Sequence, residues 1–472
     1  MKNLAFIISI SVVLVTCFCT FIQGEATDTK DKEMWQGTLK VPGGELRVVF
    51  KISKDQDGKF TATLDSPDQG VKGIVVDTVS FDNGNAHFEV KSVNGSFDGK
   101  LKDSNTIEGE WKQSGASLPL VLNRVEKEPE IQRPQEPAKP YPYLEEEVVY
   151  ENKSAGIKLA GTLTMPNSGG PFPAVLLISG SGLEDRNETV FGHRPFLVLA
   201  DYLTRQGIAV LRADDRGVGG STGDFLKAIT DDFASDAVAG VEYLKSRNEI
   251  NSKQIGLIGH SEGGLIAPIA ATQSSDVAFI VLMAGTGIIG EEIIYQQSEL
   301  VSKGMGIKDD DIAKSKAIEE QIFTVVKQEN DKAILEKKIR EIMVNGVAGL
   351  SEGERKAAMA NFDSQLQSLL SPWFRNFLIY DPKPTLMKVK CPVLAINGDK
   401  DLQVPSKENL SAIEEALKAG GNKDYTVKEL PGLNHLFQTA KTGVPSEYAA
   451  IEETISPTAL KTMGDWILKQ VK

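Results

Sequence analysis

The pattern of apolar and polar residues changes several times along the chain. The first stretch is almost wholly apolar from Leu4 to Ile22 and follows one basic residue, Lys2. Small residues come next, at Gly24 and Ala26, as in a cleavage site for export. The pattern therefore predicts a signal peptide over residues 1–24 and a periplasmic or secreted protein. A retained N-terminal anchor helix is the alternative.

Residues 35–125 alternate apolar and polar side chains over short runs, as in Leu46–Ile52 and Phe60–Leu64. Such alternation is typical of strands with one buried face. Pairs that favour tight turns lie between the runs: Asp57-Gly58, Asn83-Gly84, Asn94-Gly95 and Asp98-Gly99. With about eight or nine short strands and no helical period, this stretch predicts a small all-β domain, an antiparallel barrel or sandwich.

A proline-rich segment follows the β stretch. Five prolines lie between Glu126 and Tyr143, among charged residues. Proline fixes the backbone angle φ and removes an amide donor. We therefore interpret residues 126–145 as an extended linker and expect few contacts between the domains that it joins.

From residue 146 to 472 the pattern is that of an α/β domain. Two runs that predict edge strands come first, at 148–150 and 157–165. Short apolar runs then alternate with amphipathic stretches, which predicts a buried parallel sheet covered by helices on both faces. These runs are Pro173–Ser179, Ile208–Arg212, Gln254–Gly259, Val277–Ala284, Pro392–Asn397 and Tyr425–Leu430. Between about residues 288 and 380 only helical patterns occur, which predicts a helical cap inserted into the sheet.

Composition narrows the classes of function. The 472 residues include 52 Lys and Arg against 65 Asp and Glu, and the net charge of −13 argues against binding to nucleic acid or anionic membranes. Cys17 and Cys19 would leave with the signal peptide, so Cys391 would have no partner for a disulfide. No other apolar run reaches membrane-spanning length, so we expect no membrane span after signal removal.

The strongest chemical motif is the G-x-S-x-G sequence at Gly259–Gly263. It follows a short apolar run and precedes a helical pattern, which is the setting of a nucleophile elbow. The turn is so sharp that the flanking residues must be small. The motif predicts Ser261 as a nucleophile that projects above the sheet.

A serine hydroxyl needs an imidazole to take its proton, and the chain has four histidines. His87 belongs to the β stretch, His193 precedes the nucleophile, and His260 points off the elbow. His435 follows Ser261, in a loop after the last predicted strand. We therefore predict His435 as the general base.

The base needs a carboxylate to hold its tautomer and to stabilise its charged form. Asp399 and Asp401 both follow the strand pattern at 392–397. We predict Asp401, because the chain order Ser261, Asp401, His435 is the one expected for this type of elbow. Asp399 is interpreted as a solvated turn residue.

Small residues at Ser179–Gly182 follow another strand and would let backbone N–H groups approach a developing oxyanion. We predict the N–H groups of Ser181 and Glu262 as the donors, with Gly182 as an alternative to Ser181. Gly182, Trp373 and Phe374 are candidates for the substrate pocket, although the two aromatic residues fit an ordinary core equally well. No nucleotide-binding or metal-binding spacing is complete, so we expect no cofactor and no metal.

Four motifs together resemble those of α/β-hydrolases over residues 146–472: Ile178–Arg186, Asp214–Ser221, Gly259–Gly263 and Gly398–Pro405. The chain is especially similar to bacterial EstD-type esterases, which fall within serine aminopeptidase-like groupings. The N-terminal stretch resembles lipocalin-like β modules, which is a less specific match. One departure is Ser179-Gly180, where many relatives carry His-Gly, and the His-Gly-Gly-Pro-Gly run of proline-releasing peptidases is absent.

We therefore predict an exported serine carboxylesterase that cleaves small to medium esters through an acyl-enzyme intermediate. Its partner is a small-molecule ester, and its oligomeric state is left open. One alternative is a serine aminopeptidase-like peptidase that uses the same triad. A second alternative is a glycan-binding or envelope-binding protein with a vestigial hydrolase domain.

Overall fold

The computed structural model describes residues 33–41, 44–55, 57–67, 71–113, 116–127 and 132–472. The signal peptide predicted over residues 1–24 lies outside these ranges. In the described part of the chain, no helix is both long enough and apolar enough to cross a membrane.

The first nine strands form one antiparallel sheet in the order β4-β3-β2-β1-β9-β8-β7-β6-β5. They are β1 (Glu33–Val41), β2 (Gly44–Lys54), β3 (Phe60–Ser66), β4 (Val71–Val76), β5 (Thr78–Asp82), β6 (Asn85–Val90), β7 (Gly95–Asp103), β8 (Thr106–Gln113) and β9 (Ala116–Val125). Strands β3 and β5, which lie near opposite ends of this order, contact each other, so the sheet curls into a nearly closed barrel. The prediction of a small antiparallel β domain is confirmed.

Aromatic side chains fill the interior of this barrel. Phe50, Phe88 and Phe97 are fully buried, and the ring centroids of Phe50 and Phe88 are 4.8 Å apart. Trp35 and Trp111 are each only 3% exposed. Aromatic side chains bury large apolar areas, so these five residues contribute strongly to the core of this small domain.

Turn chemistry predicts one hairpin of the barrel correctly and another wrongly. Asn83 and Gly84 have φ of 48° and 78° between β5 and β6, as expected for an Asn-Gly turn. Asp98 and Gly99, by contrast, lie inside β7. A Cβ added to Gly99 would lie 2.5 Å from the ring of Phe97, so this glycine makes room for a core side chain rather than for a turn.

The remaining strands form an eight-stranded sheet in the order β10-β11-β13-β12-β14-β15-β16-β17. They are β10 (Leu144–Asn152), β11 (Ile157–Met165), β12 (Phe172–Ile178), β13 (Ala209–Ala213), β14 (Ile250–His260), β15 (Val277–Met283), β16 (Val393–Gly398) and β17 (Tyr425–Leu430). The six strands from β13 to β17 in this order are parallel, whereas β10 and β11 form an antiparallel edge. The predicted edge strands and buried parallel sheet are thereby confirmed.

Helices cover both faces of this sheet and also build the cap. They are α1 (Pro195–Thr204), α2 (Thr230–Ser246), α3 (Gly263–Gln273), α4 (Gly290–Gly304), α5 (Asp309–Gln328), α6 (Lys332–Gly346), α7 (Glu352–Leu369), α8 (Pro372–Ile379), α9 (Lys383–Leu386), α10 (Ser406–Ala419) and α11 (Pro457–Gln470). Neighbouring residues of β12 point to opposite faces: Leu176 packs in the core under α2 and α3, and Val175 packs in the core under α1 and α11.

Helices α4 to α8 lie between β15 and β16 and have a core of their own. Phe323, Ile339, Met343 and Phe374 are each at most 1% exposed within it. These helices lie within the stretch of about residues 288–380 for which we predicted a helical cap.

Part of the predicted linker packs on the α/β domain. The guanidinium of Arg133 donates hydrogen bonds to four backbone carbonyl oxygens, those of Phe191, Gly192, Ala449 and Ile451, at 2.7–3.3 Å. The side chain of Gln135 accepts from the N–H of Thr454 at 2.6 Å. The segment from residue 132 onward is therefore fixed to the α/β domain by polar side chains between its prolines, contacts that the sequence analysis did not predict.

Candidate active site

A sharp turn at the carboxyl end of β14 places Ser261 just before α3. Ser261 is left-handed, with φ of 53°, and its N–H donates to the carbonyl oxygen of Met283 at 2.8 Å. A Cβ added to Gly259 would lie 1.9 Å from the carbonyl oxygen of Gly263, and one added to Gly263 would lie 2.1 Å from that of Ile178. Only glycine fits on either side of Ser261, which is the physical reason for the motif.

Asp401 and His435 meet where β16 and β17 end. His435 Nδ1 lies 2.8 Å from Asp401 Oδ2, and the two residues are 5% and 3% exposed. Asp401 Oδ1 accepts from the N–H groups of Gln403 and Val404 at 2.8 and 2.9 Å, which fixes the carboxylate. Because Nδ1–H donates to Asp401, Nε2 is the ring nitrogen that can accept a proton.

Asp399 has a different environment. It is exposed, and its Oδ1 accepts from the N–H of Gly432 at 2.6 Å. The structure thus brings Asp401, and not Asp399, to the imidazole of His435. Asp399 instead ties the strand end to the start of the loop that carries His435.

The loop after β12 lies against the elbow. Ser179 Oγ donates to Asp215 Oδ1 at 2.9 Å, and Gly180 N–H donates to Glu188 Oε1 at 2.8 Å. A Cβ added to Gly180 would lie 3.4 Å from the Cβ of Ser261. We call residues 179–182 the oxyanion loop, after the role that we predict for it. Among the described residues, the N–H groups of Ser181, Gly182 and Glu262 have no acceptor, so the two predicted donors and the alternative, Gly182, are all available to an anionic oxygen.

A partly buried ion pair holds the segment that follows this loop. Arg186 donates from Nε to Asp214 Oδ1 at 3.0 Å and from its terminal nitrogen to Asp214 Oδ2 at 2.7 Å. The hydrogen bonds and the negative charge of the Asp214 carboxylate raise the pKa of Arg186. Burial raises the pKa of Asp215, the acceptor of Ser179. Hydrogen bonds between the motifs at Ile178–Arg186 and Asp214–Ser221 therefore hold these two segments together.

The side chain of Glu262 joins the elbow to the cap. Its Oε1 accepts from Nε1 of Trp373, in α8, at 2.7 Å and from Oγ1 of Thr230, in α2, at 2.9 Å. Burial raises the pKa of Glu262 to about 7, and these two hydrogen bonds oppose that rise. The residue directly after Ser261 thus fixes the position of a cap helix.

The three residues predicted for the substrate pocket have different positions. Gly182 is buried with φ of 130°, beside the predicted donor Ser181. Trp373 is 6% exposed and donates to Glu262. Phe374 is fully buried, with its ring centroid 5.7 Å from that of Phe323. The structure places Phe374 in the core of the cap and not on a surface that a substrate could reach.

Replacing Glu262 with glutamine is expected to change how stability depends on pH. The folded-state pKa of about 7 lies above the ordinary value of 4.5, so folding favours protonated Glu262. That stabilisation is complete below the ordinary value and disappears as pH rises through about 7, a difference of about 3 kcal/mol. An amide oxygen can still accept from Trp373 and Thr230. Urea unfolding should therefore show that the free energy of unfolding of the wild type falls between about pH 5 and pH 8, and that this fall is absent in Glu262→Gln. Equal falls in the two proteins would contradict this.

The sheet order, the glycine-flanked turn at Ser261 and the Asp401–His435 contact define an α/β-hydrolase. The family model described as X-Pro dipeptidyl-peptidase (S15 family) matches residues 155–429, and the chain belongs to this family. Membership confirms the prediction of a serine hydrolase.

Several relatives are described as esterases. Esterase EstD of Thermotoga maritima is 24% identical over 323 residues, which are 68% of each chain. Among solved structures, Est1E from Butyrivibrio proteoclasticus, bound to ferulic acid, is 19% identical with a TM-score of 0.40, and covers 69% of this chain and 99% of its own. Pyrococcus furiosus esterase Pf2001 is 18% identical with a TM-score of 0.43, covering 72% and 97%.

Two residues of the site were missed by the sequence analysis. Glu188 was not considered, and His260 was set aside as pointing off the elbow, yet the two form a buried contact beside His435. The scarcity of histidine was one signal available: a second histidine next to a nucleophile needs a partner when it is buried. Nothing in the sequence marks Glu188 as that partner.

Proposed function

We propose that this protein is an exported serine carboxylesterase that hydrolyses small to medium carboxylic esters through an acyl-enzyme intermediate. The observation that carries the proposal is the buried contact between Asp401 and His435, beside the left-handed turn of Ser261. A buried carboxylate on Nδ1 leaves Nε2 of the imidazole as a base, which is what a serine nucleophile requires.

In the first half of the proposed reaction, Ser261 Oγ attacks the ester carbonyl while His435 Nε2 takes the hydroxyl proton. The carbonyl oxygen becomes an oxyanion and accepts from the N–H groups of Ser181 and Glu262. The tetrahedral intermediate then collapses, the C–O bond to the alcohol breaks, and His435 gives the proton to the departing alcohol. The negative charge of Asp401 stabilises the imidazolium between these two proton transfers.

In the second half, water attacks the acyl group on Ser261. His435 takes one proton from the water, and the same two amides stabilise the second tetrahedral intermediate. Collapse returns the proton to Ser261 Oγ and releases the carboxylic acid. Every proton that His435 takes is thus returned within the cycle.

Export is the second part of the proposal. Its support is the apolar stretch from Leu4 to Ile22 after a basic residue, with small residues following it. The expected site of action is the periplasm or the medium. N-terminal sequencing of the protein purified from the producing cell would test this, because a chain that keeps residues 1–24 would contradict it.

A peptidase is the second candidate, since the matched family is described by a dipeptidyl-peptidase activity. An amine leaves only after its nitrogen gains a proton, whereas an alkoxide leaves with less help. The relative named as an esterase, EstD, favours the ester reaction. The two candidates share the triad and differ in the leaving group that the site accepts.

A panel of p-nitrophenyl esters of increasing acyl length, beside aminoacyl and X-Pro p-nitroanilides, separates the candidates. We expect kcat/KM for short-chain esters to exceed that for anilides by at least about 10²-fold, or about 2.7 kcal/mol in barrier, after division by the uncatalysed rates. Faster cleavage of anilides on this corrected scale would replace the esterase with the peptidase. Cleavage of neither would favour the binding protein with a vestigial hydrolase domain.

A further inference from the structure

A buried glutamate and a buried histidine connect the three segments that form the candidate site. Glu188 Oε1 accepts from the N–H of Gly180 at 2.8 Å and lies 2.8 Å from His260 Nδ1. His260 Nε2 lies 2.9 Å from the backbone carbonyl oxygen of His435. One chain of hydrogen bonds therefore runs from the oxyanion loop, through the elbow, to the loop of the predicted base.

The partners of His260 determine its protonation. A backbone carbonyl only accepts, so Nε2 carries a hydrogen, and Nδ1 faces a carboxylate oxygen. Burial alone would lower the pKa of His260, but the charge and hydrogen bond of Glu188 and the carbonyl of His435 raise it above its ordinary value. The Glu188 and His260 side chains are 5% and 6% exposed, so the two charges are paired away from water.

His435 is consequently held at two points. Asp401 fixes its ring through Nδ1, and His260 fixes its main chain through the carbonyl oxygen. The rings of His260 and His435 also pack together, with centroids 4.8 Å apart. A base whose ring and backbone are both fixed keeps its geometry relative to Ser261 through proton transfer.

We propose that Glu188 and His260 are positioning residues of the hydrolytic reaction, an ion pair that holds the oxyanion loop and the loop of His435 in register with Ser261. The inference rests on the proposed function, because it takes His435 as the base. In the proposed reaction neither residue touches the reacting atoms. Both act through the residues that do.

The charges around His260 make the inference testable by pH. The titratable groups that face it are Glu188 from the segment after β12, Asp401 from the loop after β16 and His435 from the loop after β17. Glu184 in turn interacts with Glu188. In the wild type the charges of Glu188 and His260 balance, so His435 experiences little net charge from the pair.

Two single variants disturb this balance differently. His260→Asn keeps a donor near Glu188 but loses the contact with the carbonyl of His435, and it leaves an unbalanced carboxylate. An unpaired carboxylate so close to His435 should move the acid limb of kcat/KM upward by about one pH unit. Glu188→Gln removes the carboxylate, so its acid limb should not move upward. Both variants should lose roughly tenfold or more in kcat/KM at the pH optimum through misplaced loops.

The double variant Glu188→Gln/His260→Asn carries neither charge and should return the acid limb to its wild-type position. His87→Asn is the matched control, because His87 Nδ1 also lies 2.7 Å from a carboxylate, that of Asp98, but in the N-terminal sheet. Its profile should equal that of the wild type. If the pair served only in folding, the position of the acid limb of kcat/KM would not depend on which of the two charges is removed.

The measurement is the pH dependence of two rates, hydrolysis of p-nitrophenyl acetate and covalent labelling of Ser261 by a fluorophosphonate, with circular dichroism to check folding. The inference would be overturned if the acid limb of kcat/KM did not move in His260→Asn, or if it moved upward in both single variants. Labelling of Ser261 would in either case leave the proposed function standing. An unlabelled Ser261 in the wild type would overturn both. If His260→Asn fails to fold, Glu188→Gln decides, and unchanged kcat/KM there would overturn the inference.

Discussion

Alanine in place of Ser261 is expected to lower kcat about 10⁶-fold while the protein stays folded, since the triad acts as a unit. The turn depends on Gly259 and Gly263, and the Ser261 N–H that binds Met283 is kept in the variant. The test is the hydrolysis rate of a p-nitrophenyl ester, with circular dichroism to confirm folding. The matched control is Ser274→Ala, which should be fully active. Ser261 lies just before helix α3, and Ser274 lies directly after its other end. A Ser261→Ala variant that keeps a tenth of its activity would end the assignment.

Asparagine at Asp401 is expected to lower kcat roughly 10⁴-fold through the wrong tautomer. An amide oxygen would still accept from Gln403 and Val404, so the amide nitrogen would face His435. Nδ1 would then accept a hydrogen bond, and Nε2 would carry the hydrogen and could not act as a base.

The matched control is Asp399→Asn, two residues away in the same loop. Its amide oxygen can still accept from Gly432, so we expect a change of less than about threefold, as for a surface substitution. Steady-state kinetics on one ester compares the two variants. A larger loss in Asp399→Asn than in Asp401→Asn would transfer the orienting role to Asp399.

The parts of the fold that the sequence predicts are those in which local chemistry decides the structure. Buried parallel strands read as short apolar runs because both of their faces are covered. The elbow is predictable because the sharp turn excludes every side chain larger than hydrogen at Gly259 and Gly263. The order of Ser261, Asp401 and His435 predicts their grouping because parallel strands end at one edge of the sheet, and the structure brings Asp401 and His435 into contact there.

Contacts between distant loops are not predictable in this way. Glu188 and His260 are 72 positions apart, and Glu262 and Trp373 are 111 apart. No periodicity connects such residues, because their approach depends on how the loops and the cap fold over the sheet. The error at Asp98-Gly99 has a related cause, since a pair that favours turns also suits a strand whose neighbour needs space.

The left-handed backbone at Ser261 has an evolutionary consequence. Glu188, Ala284 and Phe437, which flank the same site, also have φ between 50° and 60°. A residue with a side chain costs about 1–2 kcal/mol more than glycine in this conformation. At Ser261, which is only partly buried, selection for stability alone would therefore favour glycine. Glycine in place of the fully buried Phe437 would instead leave a cavity that costs more than the strain. A descendant released from the need to hydrolyse its substrate should therefore replace Ser261 with glycine before it replaces the residues that flank the site.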